Sequence, residues 1–372
     1  MSAGPATALR VLHLDTERSW RGGERQALWL ARELARLQQV SVVAARPAGP
    51  LAAAAIEAGL EIVPCAPFAP ADPLAAWRLR RAIARGRFQV VHAHSGNAVT
   101  LGAAATLGTK AMLIATRRVD FPLNRGPGTR WKYGRAAAVV AISRRVRDVL
   151  VASGVPEGKV SVVPDGVDLS RAMVAASAER LSALGVRAGV PLIVMVAALV
   201  GHKDPLTFVR AVAAARARGA LFHALLAGDG FLADNVRAEA ERLGLADVLT
   251  LAGWQDDADG LIAAADVVAL SSREEGQGSV LLDAMQCGKP VAATAAGGIP
   301  DVVVDRQTGL LVPPGDATAL GEALARLCTD QALRQRLGAA GSARVRDFDV
   351  ARTAARTLEV YRQVLASPGR KD

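Results

Sequence analysis

The sequence predicts an α/β fold with two domains, each built on a parallel β-sheet that is covered by helices. Three observations support this prediction. The chain has 372 residues, of which 51% are hydrophobic and 22% charged, and this is enough for two cores. Short continuous apolar runs alternate with segments of helical periodicity, which is typical of buried parallel strands. The alternation fills both halves of the chain, which favours two Rossmann-like domains.

The elements follow in order along the first half. The segment "LRVLHLD" (9–15) is predicted to be a buried strand, and "GGERQALWLARELARL" (22–37) has apolar residues at helical spacing. Four further apolar runs predict strands in this half: "VSVVAARP", "FQVVHAHS", "AMLIATRR" and "AAVVAIS". The second half repeats the pattern, with predicted strands at "PLIVMVAAL", "FHALLAG", "VLTLAG", "DVVALSS" and "KPVAATA".

The boundary between the domains is expected after "VVPDGVDLS" (162–170). This gives a first domain over 1–170 and a second over 171–350. The remaining segment, 351–372, contains the amphipathic stretch "RTAARTLEVYRQVLA" (352–366), which predicts a helix that is a candidate for packing back on the first domain.

The formal net charge is +10, and its distribution is uneven. Residues 1–180 hold 25 Lys and Arg against 13 Asp and Glu, whereas residues 181–372 hold 20 against 22. A basic first half favours an anionic partner, such as a phospholipid surface or a phosphorylated acceptor. Nucleic acid is not expected, because only 4% of residues are aromatic and no folded nucleic-acid-binding motif occurs.

Targeting and redox signals are few. The N-terminus has no apolar signal-peptide core before Arg10, and the longest apolar run is too short to span a bilayer. The three cysteines are odd in number and far apart, which predicts reduced, structural thiols. We therefore expect a cytoplasmic protein, with peripheral association at the inner face of the membrane as a further option.

Ligands of open parallel sheets bind beyond the carboxyl ends of the strands, and polar residues collect there in this sequence. In the segment "RGGE", Gly22 and Gly23 follow the first strand and leave helix N–H groups available for an anion, although an ordinary tight turn would look the same. Strand alternation sends His92 and His94 to one face. We interpret His94 as a ligand-facing hydrogen bonder and His92 as a core histidine, and we expect no metal site.

The second half has similar positions. Lys203 in "GHKDP" follows the domain's first strand and is a candidate for pairing with a diphosphate, or a simple surface charge. Gly228 in "AGDG" indicates a loop shaped for close approach. The Asp-x-Asp spacing in "DDAD" (256–259) is interpreted as a solvated loop in preference to a metal site.

The stretch "REEGQGSVLLDAMQCGKP" (273–290) places two acids around a glycine-bearing loop. A helix is expected to begin near Ser279, with that serine as its N-cap, so that free N–H groups favour a phosphate or a sugar hydroxyl. Asp283 and Glu275 can accept hydrogen bonds from vicinal hydroxyls. A helix-capping role for Asp283 and a solvated Glu275 account for the pattern equally well.

Several segments together resemble the retaining glycosyltransferases of family 4, which have the two-domain GT-B fold. The resemblance runs over nearly the whole chain. It rests on "RGGERQ", "VVHAHS", "VVPDGVD", "AALVGHKD", "LAGDG", the long block from "LAGWQDDADG" to "AAGGIPDVV", and "TGLLVPPGD". It implies two parallel sheets that face each other across a cleft, and domain closure that gates the reaction. The first domain is then the acceptor domain and the second the nucleotide-sugar donor domain.

The resemblance also implies roles for individual residues. Glu275 corresponds to the first acid of the family's E-x7-E motif, which contacts the donor sugar, and Asp283 stands where the second acid binds the ribose. Lys203 corresponds to the phosphate-binding lysine, and Trp254 begins the loop beside the base. The remaining implied donor contacts are Gly22, Gly23, Gly276, Gln277, Gly278, Ser279 and Val280.

Four departures from the family pattern stand out. Asp283 is shorter than the usual Glu, and Ala198 replaces an arginine that helps neutralise the diphosphate. Gln277 replaces a common Phe, and Arg117 and Arg118 lie where many members have a histidine. One of these two arginines is therefore a candidate for carrying the phosphate-neutralising charge.

The implied activity is transfer of a sugar from a nucleotide diphosphate, with UDP or GDP favoured, to an acceptor hydroxyl with retention. We expect front-face attack, with Glu275, His94 and Arg118 as the catalytic residues and neither metal nor bound cofactor. The acceptor is expected to be a glycan or a lipid-linked sugar of the cell envelope, such as a polysaccharide, a lipopolysaccharide or a glycolipid. A nucleotide-sugar epimerase and a degenerate donor-binding protein on the same fold remain alternatives.

The acceptor or a membrane surface is expected to contact the segment 117–135. It combines cationic and aromatic side chains in a way that suits lipid phosphates, although a solvated arginine-rich loop has the same composition. The candidate residues are Arg117, Arg125, Arg130, Trp131 and Lys132.

Overall fold

The structure is a computed structural model that describes residues 8–124 and 126–367. The chain divides into two compact units. The first unit contains the described residues up to Asp168 and those from Val350 onward, and the second unit runs from Leu169 to Asp349. Each unit is built on its own parallel sheet.

The described part of the first unit has a seven-stranded sheet in the order β3-β2-β1-β4-β5-β6-β7. Each neighbouring pair is parallel, and the register places His13 of β1 beside His92 of β4. The strands are β1 (Arg10–Leu14), β2 (Val40–Ala45), β3 (Glu61–Pro64), β4 (Val90–Ala93), β5 (Met112–Arg117), β6 (Ala138–Ala141) and β7 (Val160–Val162).

Helices cover both faces of this sheet, and apolar side chains lie beneath them. Six helices follow the strands in order along the chain: α1 (Gly22–Arg36), α2 (Pro50–Glu57), α3 (Pro73–Arg85), α4 (Gly96–Ala105), α5 (Pro127–Arg135) and α6 (Arg144–Ala152). The helix at the end of the described chain, α15 (Val350–Ala366), joins the first unit and packs against α1, where Leu34 and Tyr361 share one buried cluster.

The second unit has a six-stranded parallel sheet in the order β10-β9-β8-β11-β12-β13. The strand order reverses at β8, whose neighbours are β9 and β11, and such a switch point opens a crevice for ligands at the carboxyl edge. The strands are β8 (Leu192–Val196), β9 (His223–Ala227), β10 (Leu249–Gly253), β11 (Val267–Leu270), β12 (Val291–Thr294) and β13 (Leu310–Val312).

Helices of the second unit surround its sheet, and α8 packs against α13 through Gly321, where an added Cβ would lie 2.6 Å from Ala214 Cβ. The helices are α7 (Ala178–Ala183), α8 (Pro205–Ala217), α9 (Ala233–Arg242), α10 (Ala258–Ala264), α11 (Ser279–Gln286), α12 (Ile299–Val302), α13 (Ala317–Thr329) and α14 (Gln331–Arg344).

The apolar runs of the sequence all form strands of these sheets, and the α/β prediction is confirmed. Three strands were not anticipated from the apolar runs: β3, β7 and β13. Each has only three or four residues and lies at the edge of its sheet, where one flank needs no apolar cover. Within residues 8–124 and 126–367, no helix combines the length and the apolar character needed to cross a bilayer.

Candidate functional site

The loop before α11 is shaped by one glycine. Gly278 has φ +83° and ψ +56°, so it lies in the left-handed region that favours glycine, and it is the N-cap of α11. Ser279 is the first helical residue and not the N-cap, so the expectation of a serine cap was wrong. Because the cap residue has no side chain, the first N–H groups of α11 are left for another acceptor.

Glu275 and Lys203, which were singled out separately in the sequence, form an ion pair in the structure. The two side chains are 12% and 23% exposed. Ser272 donates a hydrogen bond from its hydroxyl to the same carboxylate at 3.0 Å, and the Glu275 carbonyl accepts one from Gly298 N–H at 2.8 Å. The acid is therefore fixed at the carboxyl edge of β11, opposite the lysine that follows β8.

A second ion pair fastens the loops of β8 and β11 together. Arg273 Nε donates to Asp204 Oδ2 at 2.6 Å, and Arg273 N–H donates to the carbonyl of His202 at 2.8 Å. Asp204 also caps α8 through Thr207 N–H and has a positive φ of 44°. Lys203 is thus presented from a short, rigid turn at the switch point of the sheet.

Asp283 is almost fully buried, at 3% exposure, and it meets an arginine that the sequence did not reveal. Arg171 donates from Nη2 to Asp283 Oδ1 at 2.6 Å, and its other amino group, Nη1, is bonded to Asp259. Arg171 and Asp283 are 112 residues apart, so no local pattern announces the pair. Asp259, which was interpreted as part of a solvated loop, instead lies in the first turn of α10 and is ion-paired, with its side chain 36% exposed.

Other residues expected to bind the donor are spread along the same edge. Gly228 has φ +147°, and an added Cβ would lie 1.9 Å from the carbonyl oxygen of Ala197, so packing alone requires glycine there. Trp254 is 66% exposed, and its indole N–H donates to Asp256 Oδ1 at 2.9 Å. Gly276 and Gln277 are buried, whereas Ser279 and Val280 are partly accessible.

In the first unit, three histidines meet at the carboxyl edge. His92 and His94 lie on one face, as strand alternation predicted, with ring centroids 4.2 Å apart. His13, from the neighbouring strand, places Nδ1 3.0 Å from His94 Nε2. Both ring nitrogens of His92 are hydrogen-bonded, Nδ1 with the hydroxyl of Tyr361 and Nε2 with that of Thr116, each at 2.6 Å. This is the pattern of a core histidine.

Burial keeps these imidazoles neutral. It lowers the pKa of His13 to about 3, and it lowers the pKa values of His92 and His94 well below the ordinary value. Neutral histidines are the form that binds metal, and these three are the group in the described chain whose ligand atoms lie within 4.8 Å of one another. However, the Arg118 guanidinium lies 3.5 Å from His94 Nδ1 and lowers the pKa further, and a neighbouring cation disfavours a bound metal ion.

Arg118 is held by two groups of the first unit, the carboxylate of Asp165 and the carbonyl of His94. Its Nε donates to both oxygens of Asp165, at 2.9 and 3.2 Å, and its Nη1 donates to the carbonyl of His94 at 3.2 Å. Its charge is therefore already balanced by Asp165, whose pKa is nevertheless raised because burial outweighs the arginine. Arg117 instead donates to the carbonyls of Val119 and Phe121, at 3.1 and 2.8 Å, and shapes the loop after β5.

Asp15 is a second residue that the sequence did not single out. It directly follows β1 and is 2% exposed, and its Oδ1 accepts a hydrogen bond from Glu17 N–H at 3.0 Å. Its Oδ2 has no hydrogen-bond partner among the described residues. Burial is the main cause that raises the pKa of Asp15 to about 6, and nearby Glu24 adds to the shift.

The glycines of "RGGE" lie inside α1. Gly22 is the first residue of the helix, and Arg21 N–H donates to Glu24 Oε2 at 2.7 Å in a capping arrangement. A Cβ added to Gly23 would lie 3.9 Å from Arg118 Cδ. These two glycines therefore form the first turn of a helix beside Arg118, as the helical spacing of residues 22–37 predicted.

The acceptor or membrane candidates lie on α5, apart from Arg117 and Arg125. Trp131 is 40% exposed, and Arg130 is exposed as well. Lys132 donates to the carbonyl of Gly96 at 3.1 Å and to the hydroxyl of Thr100 at 3.2 Å, and burial lowers its pKa. Arg125 lies outside the described residues.

Two family descriptions match the chain. The description "Glycosyl transferases group 1" matches residues 179–344, and "Glycosyltransferase Family 4" matches residues 20–171. The first range lies within the second unit, and the other covers residues 20–168 of the first unit and the first three residues of the second.

Among curated relatives, a 2-deoxystreptamine N-acetyl-D-glucosaminyltransferase of Streptomyces fradiae is 34% identical over 63% of this chain and 57% of its own length. A D-inositol 3-phosphate glycosyltransferase of Salinispora arenicola is 36% identical over 57% and 51%, respectively. The chain therefore spans somewhat more than half the length of these relatives.

Solved structures share the fold. A glycosyltransferase from Rickettsia africae superposes with a TM-score of 0.83 at 21% identity, over 97% of this chain and all of that one. HepE of Anabaena, solved in complex with UDP, gives 0.81 at 21% identity, over 95% and 100%. The matched families, the two parallel sheets and these neighbours agree: the chain belongs to the group 1 and family 4 glycosyltransferases, which have the GT-B fold.

Proposed function

We propose that the protein transfers a sugar from a nucleotide-diphosphate sugar to an acceptor hydroxyl with retention of the anomeric configuration. The observation that best supports this is the Lys203–Glu275 pair beside the uncapped start of α11, at the switch point of the second sheet. A cation and free N–H groups suit a diphosphate, and a fixed carboxylate suits sugar hydroxyls. The bound UDP of HepE, a neighbour in fold, agrees with a nucleotide donor.

The second unit is proposed to bind the donor. Lys203 and the N–H groups at Gly278 to Val280 would balance the charge that develops on the leaving diphosphate. Glu275 would orient the sugar. Its carboxylate is bound by a lysine and a serine hydroxyl, so it suits hydrogen bonding better than nucleophilic attack. The leaving diphosphate is then the base that takes the acceptor proton, which allows front-face attack with retention.

The first unit is proposed to bind the acceptor. His94 is neutral and can exchange a hydrogen bond with a hydroxyl, and Arg118 adds a positive charge whose position is fixed by Asp165. Because Asp165 already balances that charge, Arg118 would contribute orientation more than neutralisation of the diphosphate. Relatives that act on 2-deoxystreptamine, inositol phosphate and the lipopolysaccharide core indicate a hydroxyl of a polar cyclic acceptor, and cell-envelope glycans are one such class.

We also propose peripheral contact of the first unit with an anionic membrane surface at the cytoplasmic face. Between Asp72 and Asp148 the chain has fifteen lysines and arginines but one acid, Asp120, which is buried. On α3, Trp77 is 51% exposed, and the Arg81 guanidinium lies 4.8 Å from its ring centroid. Cations around an exposed indole suit the headgroup region of a bilayer.

A thermal-shift series with UDP-, GDP-, ADP- and dTDP-sugars tests the donor proposal, because a bound donor stabilises the fold by mass action. One of the four is expected to raise Tm in wild type and to be hydrolysed slowly without an acceptor. Conversion of that donor to its epimer would instead favour an epimerase, and binding without hydrolysis or transfer would favour a degenerate binding protein. Proton NMR of the transferred product tests retention.

A further inference from the structure

The strand order of the first sheet reverses at β1, whose neighbours are β2 and β4. At such a point, the ligand of an open parallel sheet binds in the crevice outside the carboxyl ends of the strands. Two loops leave β1 and β4 on this side: residues 15–21, which lead into α1, and residues 94–95, which lead into α4. His94 N–H donates to the carbonyl of Leu14 at 3.0 Å and joins the two loops where they begin. The β1–α1 loop, residues 15–21, therefore borders the crevice of the first unit.

Three hydrogen bonds fix the backbone of the β1–α1 loop. The bond to Asp15 described above holds its beginning, and Arg46 Nε donates to the carbonyl of Thr16 at 2.9 Å. At the other end, Arg21 N–H donates to Glu24 Oε2 at 2.7 Å. The side chains between these bonds are thus presented from a backbone that is fixed on both sides.

The loop presents two arginines whose charges are not balanced by acids. Arg18 and Arg21 are exposed, and neither forms an ion pair with another residue in the described part of the chain. The nearby acids Asp15 and Glu24 are buried, at 2% and 6% exposure, and Glu17 is half-buried. Arg21 is also the N-cap residue of α1, and a cation at the positive end of a helix is unfavourable unless an anion lies nearby. The loop is therefore suited to an anionic ligand.

Trp20 lies between the two arginines in the sequence, and its side chain is 37% exposed. The face of an indole carries partial negative charge and attracts the C–H bonds on the face of a sugar ring. A planar guanidinium binds phosphate or carboxylate through two parallel N–H groups. Together these three side chains suit a ring that has an apolar face and carries an anionic group.

We propose that Arg18, Trp20 and Arg21 select an acceptor whose sugar or cyclitol ring carries an anionic group, either a phosphate or a carboxylate. The proposal rests on the function proposed above and names the substrate class of its acceptor. Trp20 packs on the ring, and the arginines bind the anionic group. His94, on the neighbouring loop, remains the partner of the acceptor hydroxyl.

The test uses four ligands that share one pyranose ring and differ in charge: glucose, glucosamine, glucuronate and glucose 6-phosphate. Their Kd values are measured by NMR titration of protein saturated with whichever of UDP, GDP, ADP and dTDP it binds most tightly. Wild type is expected to bind glucuronate and glucose 6-phosphate at least about tenfold more tightly than glucose, because each gains charge-assisted hydrogen bonds. Glucosamine should bind less tightly than glucose.

Two double variants and one single variant separate charge from stacking. In Arg18→Gln with Arg21→Gln, the advantage of the anionic sugars should fall to about twofold or less, while the Kd of glucose stays the same. In Arg18→Glu with Arg21→Glu, glucosamine should become the tightest of the four, a reversal that a purely structural role of the arginines would not produce. Trp20→Ala should weaken all four ligands by a similar factor and keep their order.

Arg85→Gln with Arg87→Gln is the matched control. Both arginines are exposed and precede β4, so they lie at the opposite edge of the same sheet. This variant loses the same amount of charge and should keep the full preference for the anionic sugars. If it loses the preference as well, the net charge of the protein attracts the anions, and the assignment to the β1–α1 loop is wrong.

The diphosphate of the donor is a second anion that could bind these arginines, and the Kd of the nucleoside diphosphate distinguishes the two. It should change less than about twofold in Arg18→Gln with Arg21→Gln. If it rises while the preference among the sugars disappears, the arginines bind the donor, and the acceptor assignment is wrong.

The remaining results separate this inference from the proposed function. If wild type binds a nucleotide but binds neither anionic sugar more tightly than glucose, only this inference fails. It also fails if both charge variants keep the preference of wild type. If wild type binds none of the four nucleotides, the proposed function fails, and the role in acceptor selection fails with it.

Discussion

The carboxyl edges of the two sheets differ in how their polar groups are satisfied. In the first unit, neutral imidazoles bond to one another and to hydroxyls, and the buried acids Asp15 and Asp165 have raised pKa values. In the second unit, full charges are paired, with Lys203 on Glu275 and Arg171 on Asp283. The first edge thus has mainly neutral hydrogen-bonding groups around one ion pair, Arg118 with Asp165, whereas the second edge has two ion pairs.

The difference indicates what each edge can bind. A diphosphate can replace a carboxylate beside a lysine, so an edge of ion pairs is ready to exchange one anion for another. At the first edge the neutral histidines have no anion to exchange and suit hydroxyls, while Arg118 is held by both oxygens of Asp165. The comparison therefore agrees with a charged donor on the second unit and a polar acceptor on the first.

The largest expected effect is on stability and concerns Gly228. Gly228→Ala would place a Cβ 1.9 Å from the Ala197 carbonyl oxygen, at a φ of +147° that alanine rarely adopts. We expect a loss of more than about 4 kcal/mol in the free energy of unfolding, as for severe overpacking at a strained position. Urea denaturation or failure to express as a folded protein would show it.

Gly244→Ala is the control for this substitution. Gly244 has φ +63°, but nothing lies within 4 Å of an added Cβ. Gly244→Ala should lower the free energy of unfolding by about 1 kcal/mol, which is the cost of placing alanine in the left-handed backbone conformation. If the two variants were equally stable, packing would not explain the glycine at 228. A loop shaped for close approach of the donor would then be the better explanation.

The second-largest effect concerns nucleotide binding by the second unit, where substitution of Lys203 and of Glu275 should change the Kd in opposite directions. Lys203→Met removes the cation, so the Kd for the nucleoside diphosphate should rise by about a hundredfold. Glu275→Gln removes the anion that competes with the diphosphate for Lys203, so the Kd should be unchanged or lower, while sugar transfer slows by at least about a hundredfold. Calorimetry and a transfer assay measure the two quantities separately.

Lys110→Met, an exposed lysine of the first unit, is the control for the loss of one charge and should match wild type in both assays. Weaker nucleotide binding by Glu275→Gln would show that Lys203 and Glu275 act together on the diphosphate, which would contradict the exchange of anions.

The fold was predictable from the sequence because each strand is recognised from the residues within its own short segment. Apolar runs such as "PLIVMVAAL" are buried on both faces and therefore remain continuous, and β8 lies within that run. Even the expected meeting of His92 and His94 follows from strand alternation. The short edge strand β3 was not predicted, because Glu61 and Pro64 are exposed and interrupt its apolar pattern.

The partners within the site were not predictable in the same way. Lys203, Glu275 and Asp283 could be named from motifs, but the bond from Asp283 to Arg171 joins positions 112 residues apart. The bond from Arg118 to Asp165 spans 47 residues and likewise depends on which strands become neighbours. Such pairs decide whether a charge is available or already balanced, and they depend on tertiary structure.

The third effect is a pH dependence of stability that comes from the first unit. The folded-state pKa values of His13, His92 and His94 are lowered, so the unfolded chain binds more protons below its ordinary value of 6.5. Their contribution is complete above pH 6.5 and is lost as the pH falls below it, by at most about 1.4 kcal/mol per histidine and pH unit. Asp15, with its pKa raised to about 6, acts in the opposite direction as the pH falls from 6 toward 4 and offsets part of this loss.

Asp165, whose pKa is also raised by burial, acts in the same direction as Asp15. Three histidines outweigh these two acids, so the net stability should still fall, by about 2 kcal/mol, between pH 7 and pH 5.5. Denaturant unfolding at the two pH values measures the change. His13→Asn should reduce the slope by about a third, because it removes one of the three groups. A flat profile between these pH values would mean that the cluster is protonated in the folded protein.

The smallest effect concerns the surface of the first unit and its contact with lipid. Arg78 and Arg81 are exposed on α3 around Trp77, and each charge near an anionic surface contributes about 1 kcal/mol. Arg78→Glu with Arg81→Glu should therefore weaken sedimentation with vesicles containing 30% anionic lipid, to an extent that decreases as salt is added.

Arg216→Glu with Arg237→Glu makes the same change of charge on exposed helices of the second unit and should leave sedimentation close to that of wild type. If both pairs weaken binding equally, net charge alone attracts the protein to the vesicle. If wild type fails to sediment at low salt, the membrane contact is wrong, and the arginines of α3 serve only to keep this face hydrated.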